Sequence, residues 1–189
     1  MTLNERVERF IEEHIKDIDD NNFIACYNDL WWNVSGHDMV PADIGLFTCA
    51  MQEADINILD YLTKIPECCY CLTDFTGHYL PSWIETIAGL AFAESNIEEI
   101  DCGKGMQRIE SFAFKNCAAL DTVIIHPHPM LVIEGKAFTG CSNLTNITFK
   151  GTKQEWYKTQ KYDSWLAESA IKYVDCTDGT IQVKKGIKP

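Results

Sequence analysis

Two short clusters in this sequence hold residues that could do chemistry. Cys68-Cys69-Tyr70-Cys71 places three of the chain's nine cysteines within four positions. Thiolates at C-x-x-C spacing hold zinc when a second pair or an H-x-x-x-H supplies the remaining ligands. Neither is present, and adjacent cysteines make an awkward chelate. His126-Pro127-His128-Pro129 sets two imidazoles two residues apart, a pattern that could hold a metal or supply a general base. With no carboxylate or cysteine at a telling distance along the chain, this stretch reads as a proline-rigidified surface loop. His14 stands alone beside an apolar stripe and reads as a packed histidine. No G-x-S-x-G, phosphate-binding G-K-S/T loop, H-E-x-x-H or paired C-x-x-C occurs. The chain therefore reads as a non-enzymatic protein with no metal and no cofactor.

Charge gives a third kind of chemistry. The net charge is −12. Residues 1–76 carry 15 acids against 4 bases, and residues 77–189 carry 13 against 12. Direct phosphate-backbone binding needs a basic surface, so nucleic acid is excluded as a general partner. An acidic helical surface keeps a protein soluble. It could also serve as a decoy, occupying the DNA or RNA site of a nuclease or other host defence protein. Glu5, Glu8, Glu12 and Asp19 recur at helical steps along one face, diluted by Arg6, Arg9 and Lys16.

The elements that carry these residues are legible from periodicity. Val7, Phe10, Ile11, His14, Ile15 and Ile18 predict an amphipathic helix over 4–18, with Asn4 as N-cap. Further helices are expected over 23–33, 41–53 and about 57–64, the last stopped by Pro66. Trp31 and Trp32 cannot both face inward on one helix, so one is core and the other lies at the junction with the next layer or is an exposed contact, with Trp32 the candidate; the pair could also be a self-association patch, and homo-oligomerisation is left open. No run of about 18 apolar residues exists, so no membrane span is expected. The start of the chain is charged from residue 4 and lacks the apolar stretch of a signal peptide, which predicts an intracellular protein. Nine cysteines, odd in number and unevenly spaced, read as reduced core thiols.

The second part of the chain repeats. Ile133, Ala137-Phe138, Cys141, Leu144, Ile147 and Phe149 have counterparts at Ile109, Ala113-Phe114, Cys117, Leu120, Val123 and Ile125. One unit earlier come Ile87, Ala91-Phe92, Ser95, Ile97, Ile100 and Cys102, with one residue deleted. The Ala-Phe pair recurs after 22 and then 24 residues, a period that marks a solenoid. Leu/Ile-x-x-Ile/Val predicts a short strand in each unit, and Ala-Phe-x-x-Cys a turn or short helix crossing back. Phe92, Phe114 and Phe138 are expected to stack as a buried ladder. Leu72 and Phe75 are read as the strand half of a partial first unit. Trp156 and Trp165 suit a short helix and loop closing the far end. Ile171, Val174 and Cys176 suit a last strand, followed by a turn at Thr177-Asp178-Gly179.

Alternate strand residues face the core, so the solvent-facing set follows. It comprises Asp74 and Thr76, Glu99 and Asp101, Thr122 and Ile124, Asn146 and Thr148, and Tyr173 and Asp175. This stripe, grading from acidic to neutral, is the expected partner-binding surface, with Ile124 and Tyr173 as residue types that favour contacts.

The pattern Ile-x3-Ala-Phe-x2-Cys-x2-Leu-x2-Ile resembles the leucine-rich repeat of the BspA-like class. The closing segment Ile147–Gly179, with its "GT…W" stretch and C-T-D-G turn, resembles the way many such proteins finish. The resemblance covers roughly residues 72–180. Ala54–Glu67 resembles a small helical module that precedes such repeats in proteins of bacteriophages and gut bacteria. The compressed first repeat, with Ser95 in place of Cys, departs from the pattern. The expected fold is α+β: a short BspA-like solenoid of about three full repeats plus partial end units, capped by an N-terminal α-helical module. The expected divisions are an acidic helical module over 1–66, repeats over 67–150, a C-terminal cap over 151–180 and a basic tail over 181–189. The resemblance implies a protein-binding module, in its phage version an adaptor or inhibitor gripping a host protein in the bacterial cytoplasm. The acidic decoy is the alternative.

Overall fold

A computed structural model describes residues 58–60, 62–73 and 78–183. The helices expected over 4–18, 23–33 and 41–53 lie outside the described residues. The fourth, expected over about 57–64, is instead a 3-10 turn, Ile58–Asp60, followed by a strand, Lys64–Ile65.

The repeating residues wind into a β-solenoid with two parallel sheets. One sheet joins β1 (Lys64–Ile65), β2 (Thr86–Ile87), β4 (Arg108–Ile109), β6 (Val132–Ile133) and β8 (Gln160–Lys161) in that order. The other joins β3 (Glu99–Asp101), β5 (Thr122–Ile125), β7 (Asn146–Phe149), β9 (Tyr173–Cys176) and β10 (Gly179–Gln182). The second sheet is the one the Leu/Ile-x-x-Ile/Val pattern predicts. The first was not legible as strand: its strands are two residues long, too short to show alternation. The two sheets extend the stack to Lys64 on one side, inside the expected 1–66 module, and to Gln182 on the other.

Register explains why the repeated positions are apolar. Ile65, Ile87, Ile109 and Ile133 pair in one rung, all fully buried. Ile100, Val123, Ile147 and Val174 form the facing rung, also fully buried. The third side of each coil is the Ala-Phe turn, which the backbone also ties together. Phe92 N–H donates to Ala113 O and Phe114 N–H to Ala137 O, both at 2.9 Å. The rings stack in register: Phe92 on Phe114 at 5.1 Å and Phe114 on Phe138 at 5.4 Å, nearly parallel.

This ladder has a rung the sequence reading missed. Tyr70 stacks on Phe92 at 5.2 Å, and its N–H donates to Ala91 O. Cys69-Tyr70 stands where the next coil has Ala91-Phe92, 22 residues on, and that offset was the available signal. Leu72 is therefore not the strand half of a partial unit. It sits in the turn at φ 58°, 63% exposed, while the strand of this coil is Lys64–Ile65. Phe75 lies outside the described residues.

Each coil reverses through left-handed backbone. Leu72, Glu94, Asn116, Gly140 and Glu168 fall at equivalent positions, all with φ between 58° and 75°. The conformation aims their N–H groups at the next coil, as in Glu94 N–H to Lys115 O at 2.8 Å and Asn116 N–H to Thr139 O at 2.8 Å. An L-residue there costs about 1–2 kcal/mol, less for Asn and nothing for Gly. Glu94→Asn is accordingly expected to stabilise the protein by about 0.5–1 kcal/mol, read as a raised midpoint in urea unfolding.

The two sheets end differently. The helix α1 (Lys153–Lys158) is inserted between β7 and β8, opened by a capping box between Thr152 and Glu155. It delivers Trp156, which meets Phe149 at 5.1 Å and Trp165 at 5.7 Å, both edge-on. At the next position of the ladder Leu166 stands where the earlier coils have a ring. Lys161 occupies the rung that Ile133 fills one coil earlier. Its Nζ donates to Trp156 O and Thr159 O, both at 2.6 Å, and lies 4.5 Å from the Trp156 ring centre. Burial lowers its pKa to about 8. A lysine at an isoleucine rung gives a further coil nothing apolar to stack on. In the other sheet β10 folds back antiparallel on β9, so the last parallel strand is paired on both edges.

Candidate functional site

The outward face of β3, β5, β7 and β9 is built by the same register that builds the core. Strand side chains alternate, so each buried rung fixes its neighbours toward solvent. One outward row runs Glu99, Thr122, Asn146, Tyr173 and Gln182; the other runs Asp101, Ile124, Thr148, Asp175 and Thr180. All eight expected surface residues from Glu99 to Asp175 thus lie side by side on one sheet. Asp74 and Thr76 lie outside the described residues, as do Glu5, Glu8, Glu12, Asp19 and Trp32.

The face has a member that the sequence reading missed. Tyr79 forms a parallel bridge with Asp101 and is 57% exposed, extending the second row by one position. The signal was Leu80, buried like its counterpart Cys102, which stands 22 residues further on.

Charge on the face is distributed otherwise than expected. In the second row an acid stands on either side of the centre, and the oxygens of both are already engaged. Asp101 Oδ1 lies 2.9 Å from His126 Nε2 and accepts from Gly103 N–H at 2.9 Å. Asp175 accepts from Asn146 Nδ2 at 3.0 Å and from Thr180 Oγ1 at 2.7 Å. Between them lie Ile124 and Thr148, half-buried and uncharged. The result is an uncharged centre, with Ile124 its one apolar side chain, inside a polar rim.

The histidine pair needs a correction. A carboxylate does reach His126, because stacking brings Asp101 of the preceding coil beside it. His128 turns elsewhere, its Nδ1 accepting from Met130 N–H at 3.2 Å. The two imidazoles therefore serve different partners. Among the described residues no group of three or more His, Cys, Asp or Glu is placed to hold a metal ion.

Cys117 and Cys141 are packing residues. Both are fully buried, and their thiols donate to Phe92 O and Phe114 O at 2.9 Å. Ser95 holds the same position one coil earlier, 3.7 Å from the Cys117 sulfur. Each is thus a small buried side chain that ties one coil to the next. Burial, with a smaller contribution from Asp101, raises the Cys102 thiol far above its ordinary pKa. A nucleophilic cysteine needs a thiolate, and that site disfavours one.

No helix among the described residues is long and apolar enough to cross a membrane. The family model described as "BspA type Leucine rich repeat region" matches residues 47–183, in six copies. No curated protein and no solved structure matches the chain.

Proposed function

Because this chain belongs to the BspA-type leucine-rich repeat family, we propose that it is a non-enzymatic module that grips a protein partner through the outward face of β3, β5, β7 and β9. The observation that supports this reading most is the arrangement around Ile124. An uncharged centre inside a rim of satisfied polar groups matches the anatomy of protein interfaces, where charge is depleted at the core and tolerated at the edge. Tyr79 and Tyr173 stand at opposite ends of the face, and tyrosine is enriched among residues that dominate binding energy.

Size limits the affinity this face can supply. Five strands about 4.8 Å apart and four residues long give an area of about 300 Å². A stable complex buries about 800 Å² on each partner. The partner must therefore reach beyond the two rows, toward the turn that joins β9 to β10 or the loop after β5. In its concrete form the module is an adaptor or inhibitor of bacteriophage type, acting on a host protein in the bacterial cytoplasm; what suggests that step is the resemblance of Ala54–Glu67 to a helical module that precedes such repeats in bacteriophage proteins.

The test is purification of the tagged chain from a bacterial host at low and at high salt. The proposal expects one stoichiometric protein that survives high salt. A set of nucleic-acid enzymes lost at high salt would instead favour an acidic decoy built on the N-terminal helices, above all the first 20 residues. Retention of nothing in either condition would count against both.

A further inference from the structure

We propose that Cys68 and Cys71 are a redox-active dithiol, reversibly oxidised to a disulfide by small-molecule disulfides. Four observations converge on this pair. Cys71 N–H donates to Cys68 O at 3.1 Å, closing a four-residue turn. Such a turn brings its first and last Cα atoms within about 7 Å, and a disulfide spans about 4.4–6.8 Å. The Cys71 thiol lies near enough to Cys68 to help raise its pKa. They sit with Ala93 and Leu90 in a small cluster of their own, separate from the main core. Both retain some exposure, 5% and 6%, whereas Cys69, Cys102, Cys117 and Cys141 have none.

Packing does not call for sulfur at these positions. The equivalents of Cys68 and Cys71 are Leu90 and Ala93 in the next coil, Phe112 and Lys115 in the one after, and Lys136 and Thr139 in the fourth. Cys69 differs, filling the buried alanine position of the ladder. The pair therefore stands out in a repeat that accepts apolar, basic or hydroxyl side chains at the same two sites.

The chemistry is thiol–disulfide exchange. One cysteine, as thiolate, attacks a sulfur of the small disulfide and expels one of its halves as a thiol. The second cysteine attacks the mixed disulfide, forms the Cys68 Sγ–Cys71 Sγ bond and releases the other half. The protein loses two hydrogens, and the small disulfide is reduced to two thiols. Burial, together with Cys71 beside it, pushes the Cys68 thiol up to about 12. Thiolate is thus scarce at neutral pH, so exchange is slow there and quickens about tenfold for each pH unit. The product would lock the turn that carries Tyr70, the first described rung of the ladder.

The test incubates the full chain with oxidised glutathione at pH 8 and pH 9, then unfolds, alkylates, digests and weighs the peptides. The expected peptide has Cys69 alkylated and Cys68 and Cys71 lighter by two hydrogens. It forms about tenfold faster at pH 9, and dithiothreitol reverses it. Cys71→Ser should stop at a glutathione adduct on Cys68. Failure of the wild-type chain to oxidise would overturn the proposal, as would a disulfide mapping to Cys117 and Cys141 or to any other pair. The wild-type map decides the matter even where a serine variant folds poorly.

Discussion

Phe114→Ala is expected to cost about 3–5 kcal/mol, the range for emptying a buried phenylalanine site. Phe114 is the central ring of the ladder, fully buried, with stacked neighbours at 5.1 and 5.4 Å. The cavity cannot collapse easily, because the backbone on both sides is pinned by the hydrogen bonds from Phe92 to Ala113 and from Phe114 to Ala137. Net stabilities of whole domains are about 5–15 kcal/mol, so this one change removes a large fraction. In a chain of this size it should lower the melting temperature by roughly 6–20 °C. Phe114→Leu keeps most of the volume and should cost markedly less. Thermal unfolding followed by circular dichroism checks both. Equal and small losses for the two variants would mean that the ring ladder does not hold the coils together.

Ile124→Arg is expected to weaken partner binding by about 2 kcal/mol or more, roughly thirtyfold, while folding stability stays within about 0.5 kcal/mol. The side chain faces outward from β5, so a longer polar group displaces no core atom. It puts a charge at the uncharged centre of the second row, with Asp101 on one side and Thr148 on the other, and taking an ion out of water in an interface is costly even when a carboxylate stands beside it. Tyr173→Ala should weaken the same complex by a smaller amount, since it removes contact area at the edge. Titration of the purified partner against each variant reads both effects.

The core was largely legible because each coil repeats the same constraint. A position buried in one unit is buried in the next, so Phe92, Phe114 and Phe138 announced a ladder before any coordinates. What failed to show were features in which the repeat is kept in shape but not in letters. Tyr70 replaces phenylalanine, Cys69 replaces alanine, and Lys161 replaces isoleucine, so a reader matching residue types loses the register at both ends. The sheet of β1, β2, β4, β6 and β8 was hidden for a different reason: two-residue strands have no period. The outward rows on the described strands followed from alternation alone. The bond between His126 and Asp101 did not, because it joins residues 25 apart whose meeting depends on the length of the coil. Residues on neighbouring rungs are close in space at about 4.8 Å whatever their distance in sequence.

The central claim is that this sheet face, and not another surface, meets the partner. Hydroxyl-radical labelling of the free and partner-bound chain tests it directly, because exposed tyrosines stand on and off the face. Tyr79 and Tyr173 lie on it, 57% and 42% exposed; Tyr157 on α1 and Tyr162 after β8 lie off it, 69% and 51% exposed. The account predicts that binding protects Tyr173, with Tyr79 reduced alongside it, and leaves Tyr157 and Tyr162 reacting as in the free chain. Protection of Tyr157 and Tyr162 with Tyr173 still fully reactive would contradict it.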